Sequence, residues 1–305
     1  MGAITDYTPD YVLGQSDFIS DTAGSGAAEL TGPYGLAYDS DSGYLYVSQP
    51  TINRVSVFDV SSITDGESAI NVLGQSTFGA TSSGTTDSTL SGPRGIAIQT
   101  VVSSRYLFVA DTLNNRVMAF EVGMGITDGE AAGFVIGQSD FTSSSGATTA
   151  DGLYQPTFVA KGEMDSILVS DVGNKRVLRY NVSSRSSGVS ADWVVGATDF
   201  TSAGSFNNVS GVFMGTQSML WDTLFIADAG ANKVYKYTNG AGMSVLSGTD
   251  VPDTIVEIGD GNAENDQSSI IAPSNIVGNQ DSGDILISTD QHRIMSFNVS
   301  SPTSA

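Results

Sequence analysis

The feature that most constrains the fold is a short segment that recurs about every 60 residues. It reads Val-Leu-Gly-Gln-Ser-Asp-Phe at 12–18 and returns almost unchanged at 72–78 and 135–141, loosely at 194–200 and in degenerate form at 257–262. A fixed period is typical of repeat architectures, in which each unit buries its apolar surface against its neighbours. The 305-residue chain is therefore predicted to hold five copies of one structural unit rather than two unrelated domains.

Each repeat carries two further landmarks. One is a segment such as Gly-Pro-Tyr-Gly-Leu-Ala-Tyr at 32–38. The other is an apolar run, a polar loop and a second apolar run that begins with a basic residue, which is Arg54, Arg116, Arg176, Lys233 or Arg293. Short runs rich in Val, Ile, Tyr and Phe, bounded by Gly, Ser and Asp, indicate strands. Each repeat is therefore predicted to form an inner, a second, a third and an outer strand.

The segments Gly-Pro-Arg-Gly-Ile-Ala at 92–97 and Leu-Phe-Val-Ala-Asp-Thr-Leu-Asn-Asn-Arg-Val at 107–117 carry a resemblance to a known family. With their copies they resemble the NHL repeat, whose motif runs Pro-x-Gly-Ile-Ala and then Val-x-Asp-x-x-Asn-x-Arg-Val. The resemblance is strongest at 92–122 and covers nearly the whole chain, although the repeats are longer and fewer than is usual for the family. It implies a β-propeller whose ligand platform carries the loops between second and third strands.

The predicted fold class is all-β, a five-bladed β-propeller with four-stranded antiparallel blades in a single domain spanning 1–305. The blades are expected at about 32–78, 92–141, 154–200, 207–260 and 272–299. The first copy of the recurring segment precedes the first complete unit, and the last unit has only three strands. We therefore expect residues 11–18 to supply the outer strand of the last blade and to close the ring, which removes free sheet edges.

Composition limits the partners and the compartment. Lys and Arg total 12 against 33 Asp and Glu, a net charge of −21 that disfavours nucleic acid as a partner. No apolar run is long enough for membrane insertion, and no N-terminal signal-peptide pattern is present. Cysteine is absent, which removes disulfides and thiolate sites. The hydroxyl-rich composition and the Asn-X-Ser triplets at Asn181, Asn208 and Asn298 favour an extracellular or cell-surface location.

The candidate ligand-binding residues lie at the ends of the predicted second strands, on the platform face. They are Gln49, Asp111, Asp171, Asp228 and Asp290. Two interpretations stay open: they form a polar ring for a ligand, or each pairs with the basic residue that follows it and braces its own blade. The connections between blades, at 17–31, 77–91 and 140–154, are hydroxyl-rich and are predicted to be flexible binding surfaces.

The candidate cofactor is calcium. Oxygen-bearing side chains alternate at Asp260, Asn262, Glu264 and Asp266. Calcium prefers several hard oxygen ligands on a flexible loop, so this segment is the candidate metal site. The alternative is a solvated acidic loop without a metal.

The predicted function is a non-catalytic extracellular or cell-surface module that binds a protein or glycan or assembles with itself. The alternative is a propeller enzyme of the lactonase, lyase or glycosidase type, with a carboxylate or calcium site at the channel mouth. An enzyme concentrates unlike polar groups there, because transition-state stabilisation needs groups in unequal roles. Repeated residues dominate this sequence, so we predict a nearly five-fold channel mouth and a binding module.

Overall fold

Antiparallel sheets follow one another along the chain in the computed structural model, which describes residues 9–123, 125–215, 223–238, 254–258, 271–279, 284–290 and 293–298. Blade 1 consists of β1 (Leu36–Asp39), β2 (Tyr44–Gln49), β3 (Arg54–Asp59) and β4 (Asn71–Leu73). Blade 2 consists of β5 (Pro93–Val101), β6 (Ser104–Asp111), β7 (Arg116–Glu121) and β8 (Phe134–Ile136). Blade 3 consists of β9 (Pro156–Lys161), β10 (Ser166–Asp171), β11 (Arg176–Asn181) and β12 (Trp193–Val195).

The last two blades continue the pattern. Blade 4 consists of β13 (Val209–Gly215), β14 (Thr223–Asp228), β15 (Lys233–Thr238) and β16 (Thr254–Ile258). Blade 5 consists, in its described part, of β17 (Pro273–Asn279), β18 (Asp284–Thr289) and β19 (Arg293–Asn298). In every sheet the strands that pair are consecutive in sequence. The predicted all-β, five-bladed propeller is confirmed, and the described residues contain no helix able to span a membrane.

The core lies between successive blades rather than inside any one of them. Residue Val159 of β9 belongs to one buried cluster with Phe108 and Val117 of blade 2. Side chains alternate between the two faces of a strand, so one face meets the preceding blade and the other the following blade. Strand β10 is buried along its whole length for this reason.

The recurring Gly-Gln pair has a structural cause in each blade. Gly14, Gly74, Gly137 and Gly196 all have φ between 84° and 86°, the left-handed region that favours glycine. The glutamine that follows holds the next connection, since Gln138 Nε2 donates to the carbonyls of Asn115 at 2.8 Å and Ser145 at 2.9 Å. The spacing visible in the sequence therefore marks a turn that leaves each outer strand.

Replacing Gly137 by alanine is expected to destabilise the protein by about 2 kcal/mol, from backbone strain and overpacking together. A Cβ on Gly137 would lie 2.5 Å from Leu153 Cδ1, and Leu153 is fully buried. Gly125 is the matched control, because its φ is +99° and a Cβ there would meet nothing within 4 Å. Urea denaturation should show a smaller loss for Gly125→Ala, and equal losses would contradict the role of Leu153 packing.

The N-terminal segment contacts blade 1 in the way that each outer strand contacts the next blade. Val12 N donates to Asp65 Oδ1 at 2.9 Å and its carbonyl accepts from Gly66 N at 3.3 Å. Val72 of β4 makes the same two contacts with Asp128 and Gly129 of blade 2. Residues 11–18 form no strand themselves, and no pairing with β19 is present among the described residues. Pairing with the last blade stays a prediction.

Candidate ligand site at the channel mouth

A buried arginine ties together the two connections that flank each of blades 2 and 3. Arg116 Nε donates to Asp111 Oδ2 at 2.7 Å, and both side chains are fully buried. Its two Nη atoms donate to the carbonyls of Thr86 and Thr89 before the blade and of Phe141 after it. Arg176 repeats this pattern with Asp171 and with the carbonyls of Thr149, Gly152 and Phe200. The connections predicted to be flexible are therefore held at their carbonyl oxygens, which is a correction.

The carboxylate of Asp111 is saturated by protein donors. Oδ1 accepts from Ser91 N at 2.6 Å, and Oδ2 accepts from Asn114 Nδ2 at 2.9 Å as well as from Arg116. Burial raises the pKa of Asp111, and the positive charge of Arg116 opposes that rise. These contacts are those of a brace within the repeat.

Two of the other predicted platform residues make similar contacts. Asp228 is buried and accepts from the backbone N–H groups of Asn207 at 2.9 Å and Asn208 at 2.8 Å. Gln49 is buried and bonds Thr31 N and Ser56 Oγ. Like Asp111 and Asp171, these two side chains are engaged by the protein itself.

Asp290 differs from the other four, because its side chain is exposed. No contact in the structure tests whether Gln49, Asp111, Asp171, Asp228 or Asp290 binds a ligand. That role stays a prediction.

Blade 1 lacks the carboxylate of the brace because Gln49 stands in its place. Arg54 is nevertheless fully buried and donates only to backbone carbonyls, those of Ser25, Gly26, Glu29 and Phe78. Desolvation lowers the pKa of Arg54. The brace thus depends on the arginine and its carbonyl contacts, and its acid is replaceable.

The cavity at the platform end of the channel receives residues from all five inner strands and encloses about 320 Å³. Its lining consists of Tyr34, Gly35, Leu36, Gly95, Ile96, Phe158, Ser210, Ser274 and Asn275. The first side chains of the five inner segments at this end are unlike one another, namely Tyr34, Arg94, Thr157, Ser210 and Ser274. The prediction of a nearly five-fold mouth was therefore wrong.

Close approach of the inner strands fixes the shape of this cavity. A Cβ on Gly95 would lie 2.6 Å from Phe158 Cα, so glycine permits β5 to approach β9 closely. Hydroxyl groups also join successive blades, since Thr112 Oγ1 donates to Pro156 O at 2.7 Å and Ser210 Oγ donates to Pro273 O. Side chains at the mouth are thus mounted on a hydrogen-bonded scaffold.

The cavity combines an apolar floor with hydrogen-bonding groups at its rim. Leu36, Ile96 and Phe158 supply the floor. Arg94 is exposed beside the cavity, and its Cζ lies 5.4 Å from the ring centroid of Tyr34, within cation–π range. The hydroxyl of Tyr34 has no hydrogen-bond partner in the described part of the chain. This arrangement can bind a ligand that has an apolar body and hydrogen-bond acceptors.

The predicted calcium ligands Asp260, Asn262, Glu264 and Asp266 lie outside the described residues. Within the described ranges, no group of three or more His, Cys, Asp or Glu side chains is placed to hold a metal. Calcium binding therefore stays a prediction.

Sequence reasoning missed the channel mouth, although a signal was present. The Gly-Pro-x-Gly landmark repeats around one position that does not repeat, occupied by Tyr34 in blade 1 and Arg94 in blade 2. A variable position inside an otherwise regular repeat indicates a role that belongs to the whole ring rather than to one blade. The structure brings these positions together at one end of the channel.

Comparison with known proteins concerns the fold. No family model matches the chain, and no curated protein matches its sequence significantly. A chain in the crystal structure of the mitotic checkpoint complex is similar with a TM-score of 0.51 at 12% identity, covering 87% of this chain and 60% of that one. The streptogramin B lyase structure has a TM-score of 0.47 at 12% identity, covering 89% and 70%. This chain spans about 60% of the length of the first, and a likeness at this identity shows the fold alone.

Proposed function

We propose that this protein is an extracellular or cell-surface binding module on an NHL-type propeller, and that a protein or glycan ligand docks at the channel mouth. The observation that carries the proposal is the single cavity to which five inner strands each contribute different residues. Asp111 and Arg116 of the repeated motif are engaged within their blade, whereas Tyr34 and Arg94 face solvent at the mouth. Asymmetry in one concave place fits one ligand bound in one orientation.

The chemistry of the mouth supports recognition of hydrogen-bond acceptors above an apolar surface. Arg94 offers several N–H donors and a positive charge on a chain with a net charge of −21. Tyr34 offers a ring for stacking and a hydroxyl at its edge. Carbonyl groups of a peptide or hydroxyl groups of a sugar satisfy these donors, while Leu36 and Phe158 accept the apolar part of the ligand.

The test is binding of the labelled protein to glycan and peptide arrays, with calcium and with a chelator. We expect the double variant Tyr34→Ala and Arg94→Ala to weaken binding about tenfold or more, as for central interface residues. Lys161→Ala is the control, since Lys161 is exposed at the other end of β9. Array binding that both variants retain would contradict the assigned site, whereas turnover of lactones or aryl glycosides lost only in the double variant would support the enzyme alternative.

A further inference from the structure

The four layers between consecutive blades are built from equivalent positions. In each layer an inner-strand residue of one blade shares a buried cluster with residues from the second and third strands of the blade before it. The groups are Ile96 with Tyr46 and Val55, Val159 with Phe108 and Val117, Val212 with Leu168 and Val177, and Ile276 with Phe225 and Val234. All twelve side chains are at most 6% exposed.

The same positions between blades 5 and 1 are not covered. Repeat position assigns Leu36 of blade 1 to Leu286 and Ile294 of blade 5, and these three side chains are 65%, 41% and 72% exposed. Val277, on the same face of blade 5, is also exposed. We call these four residues the seam. Apolar side chains that are buried in every other layer are therefore open to solvent in this one.

The outer half of this fifth layer is already formed. Leu13 and Leu30 of the N-terminal segment pack against a buried cluster that contains Val47 and Phe58 of blade 1. In the layer between blades 1 and 2, the equivalent residues Leu73 and Leu90 share a cluster with Leu107, Val109 and Phe120. The face of blade 1 is thus covered where the N-terminal segment lies and uncovered where blade 5 belongs.

We propose that the seam closes within one molecule, by packing of Leu36 against Val277, Leu286 and Ile294. Burial of apolar surface favours contact, and the four formed layers show the residue classes that fit. Leu36 and Asn275 line the same cavity, so the two faces stand across one channel. Such proximity gives an effective concentration that a second copy does not match in dilute solution.

Closure has a consequence for the channel mouth, and this consequence rests on the proposed function. Tyr34 and Leu36 on blade 1 and Ser274 and Asn275 on blade 5 line the same cavity from the two sides of the seam. A ligand that contacts both sides binds the closed ring better than the open one and therefore shifts the population toward closure.

The test exploits the absence of cysteine from the chain. Leu36→Cys with Leu286→Cys is treated with a short bismaleimide, beside Leu168→Cys with Val212→Cys as the pair already packed between blades 3 and 4. We expect a cross-link within one chain for both pairs, read by mass spectrometry. A seam pair that is modified without cross-linking, or that links two copies, would overturn the proposal. No ligand is used, so the result is independent of the binding proposal.

A second measurement does not depend on the cross-linking chemistry. Leu36→Asp places a charge in the seam, and Ile96→Asp places one at the equivalent buried position of blade 2. In a closed ring both variants should lower the melting temperature by about 5 °C or more. A melting temperature for Leu36→Asp within about 1 °C of the parent would show that the seam stays open.

Discussion

Replacing Arg116 by methionine is expected to lower the free energy of unfolding by about 3–5 kcal/mol, because the buried partner Asp111 loses its counter-charge. The substitution also removes the donors to the carbonyls of Thr86, Thr89 and Phe141. Methionine fills much of the same volume, so the loss reports the brace rather than a cavity. Urea denaturation followed by circular dichroism measures the change.

The control is an ion pair at the surface of the neighbouring blade. Arg179 Nε lies 2.9 Å from Asp192 Oδ1, and both side chains are partly exposed. Arg179→Met should cost less than about 1 kcal/mol, because water screens the pair. Equal losses in the two variants would show that the buried arginine is not a brace.

The pH dependence of the Arg116→Met variant gives an independent check with a defined sign. Burial raises the pKa of Asp111, and the variant lacks the positive charge that opposes this rise. A carboxyl whose folded pKa lies above its unfolded value binds more protons in the folded state, so stability falls as pH rises between the two values. The deficit of the variant relative to the parent should therefore shrink as the pH is lowered from 7 toward the unfolded pKa of Asp, about 3.9.

The fold was predictable because local backbone requirements leave marks in the sequence. Gly137 must adopt a positive φ and Gln138 must hold the connection, so this pair recurs wherever an outer strand ends. Runs such as that of β10 are apolar because both faces of the strand are buried. Each mark belongs to one repeat unit, and regular spacing then gives the number of blades.

The candidate site was less predictable, because it depends on the whole ring. Tyr34 and Arg94 are 60 positions apart, and only the packing of blade 1 against blade 2 brings them into contact. The flexible connections were predicted wrongly for a different reason. Arg116 holds them by carbonyl oxygens, which every residue possesses, so a Ser- and Thr-rich sequence does not distinguish a held loop from a free one.

Ring closure by the N-terminal segment extends the same reasoning to the chain end. Pairing in blades 1 to 4 sets Val55 opposite Leu73, Val117 opposite Ile136, Val177 opposite Val195 and Val234 opposite Ile258. By repeat position, the fifth blade should set Ile294 opposite Leu13. This register brings Leu13 to the outer half of the layer that the seam completes.

Deleting residues 1–18 is accordingly expected to lower the free energy of unfolding by about 3 kcal/mol or more, from lost apolar burial and lost hydrogen bonds. The deletion removes Leu13 from its packing on blade 1 and removes the bonds between Val12 and the turn of Asp65 and Gly66. Ile19→Asp is the control, because Ile19 is 94% exposed and its replacement should change stability by less than about 0.5 kcal/mol. A truncated protein as stable as the control variant, measured by urea denaturation, would show that the ring does not depend on its N-terminal segment.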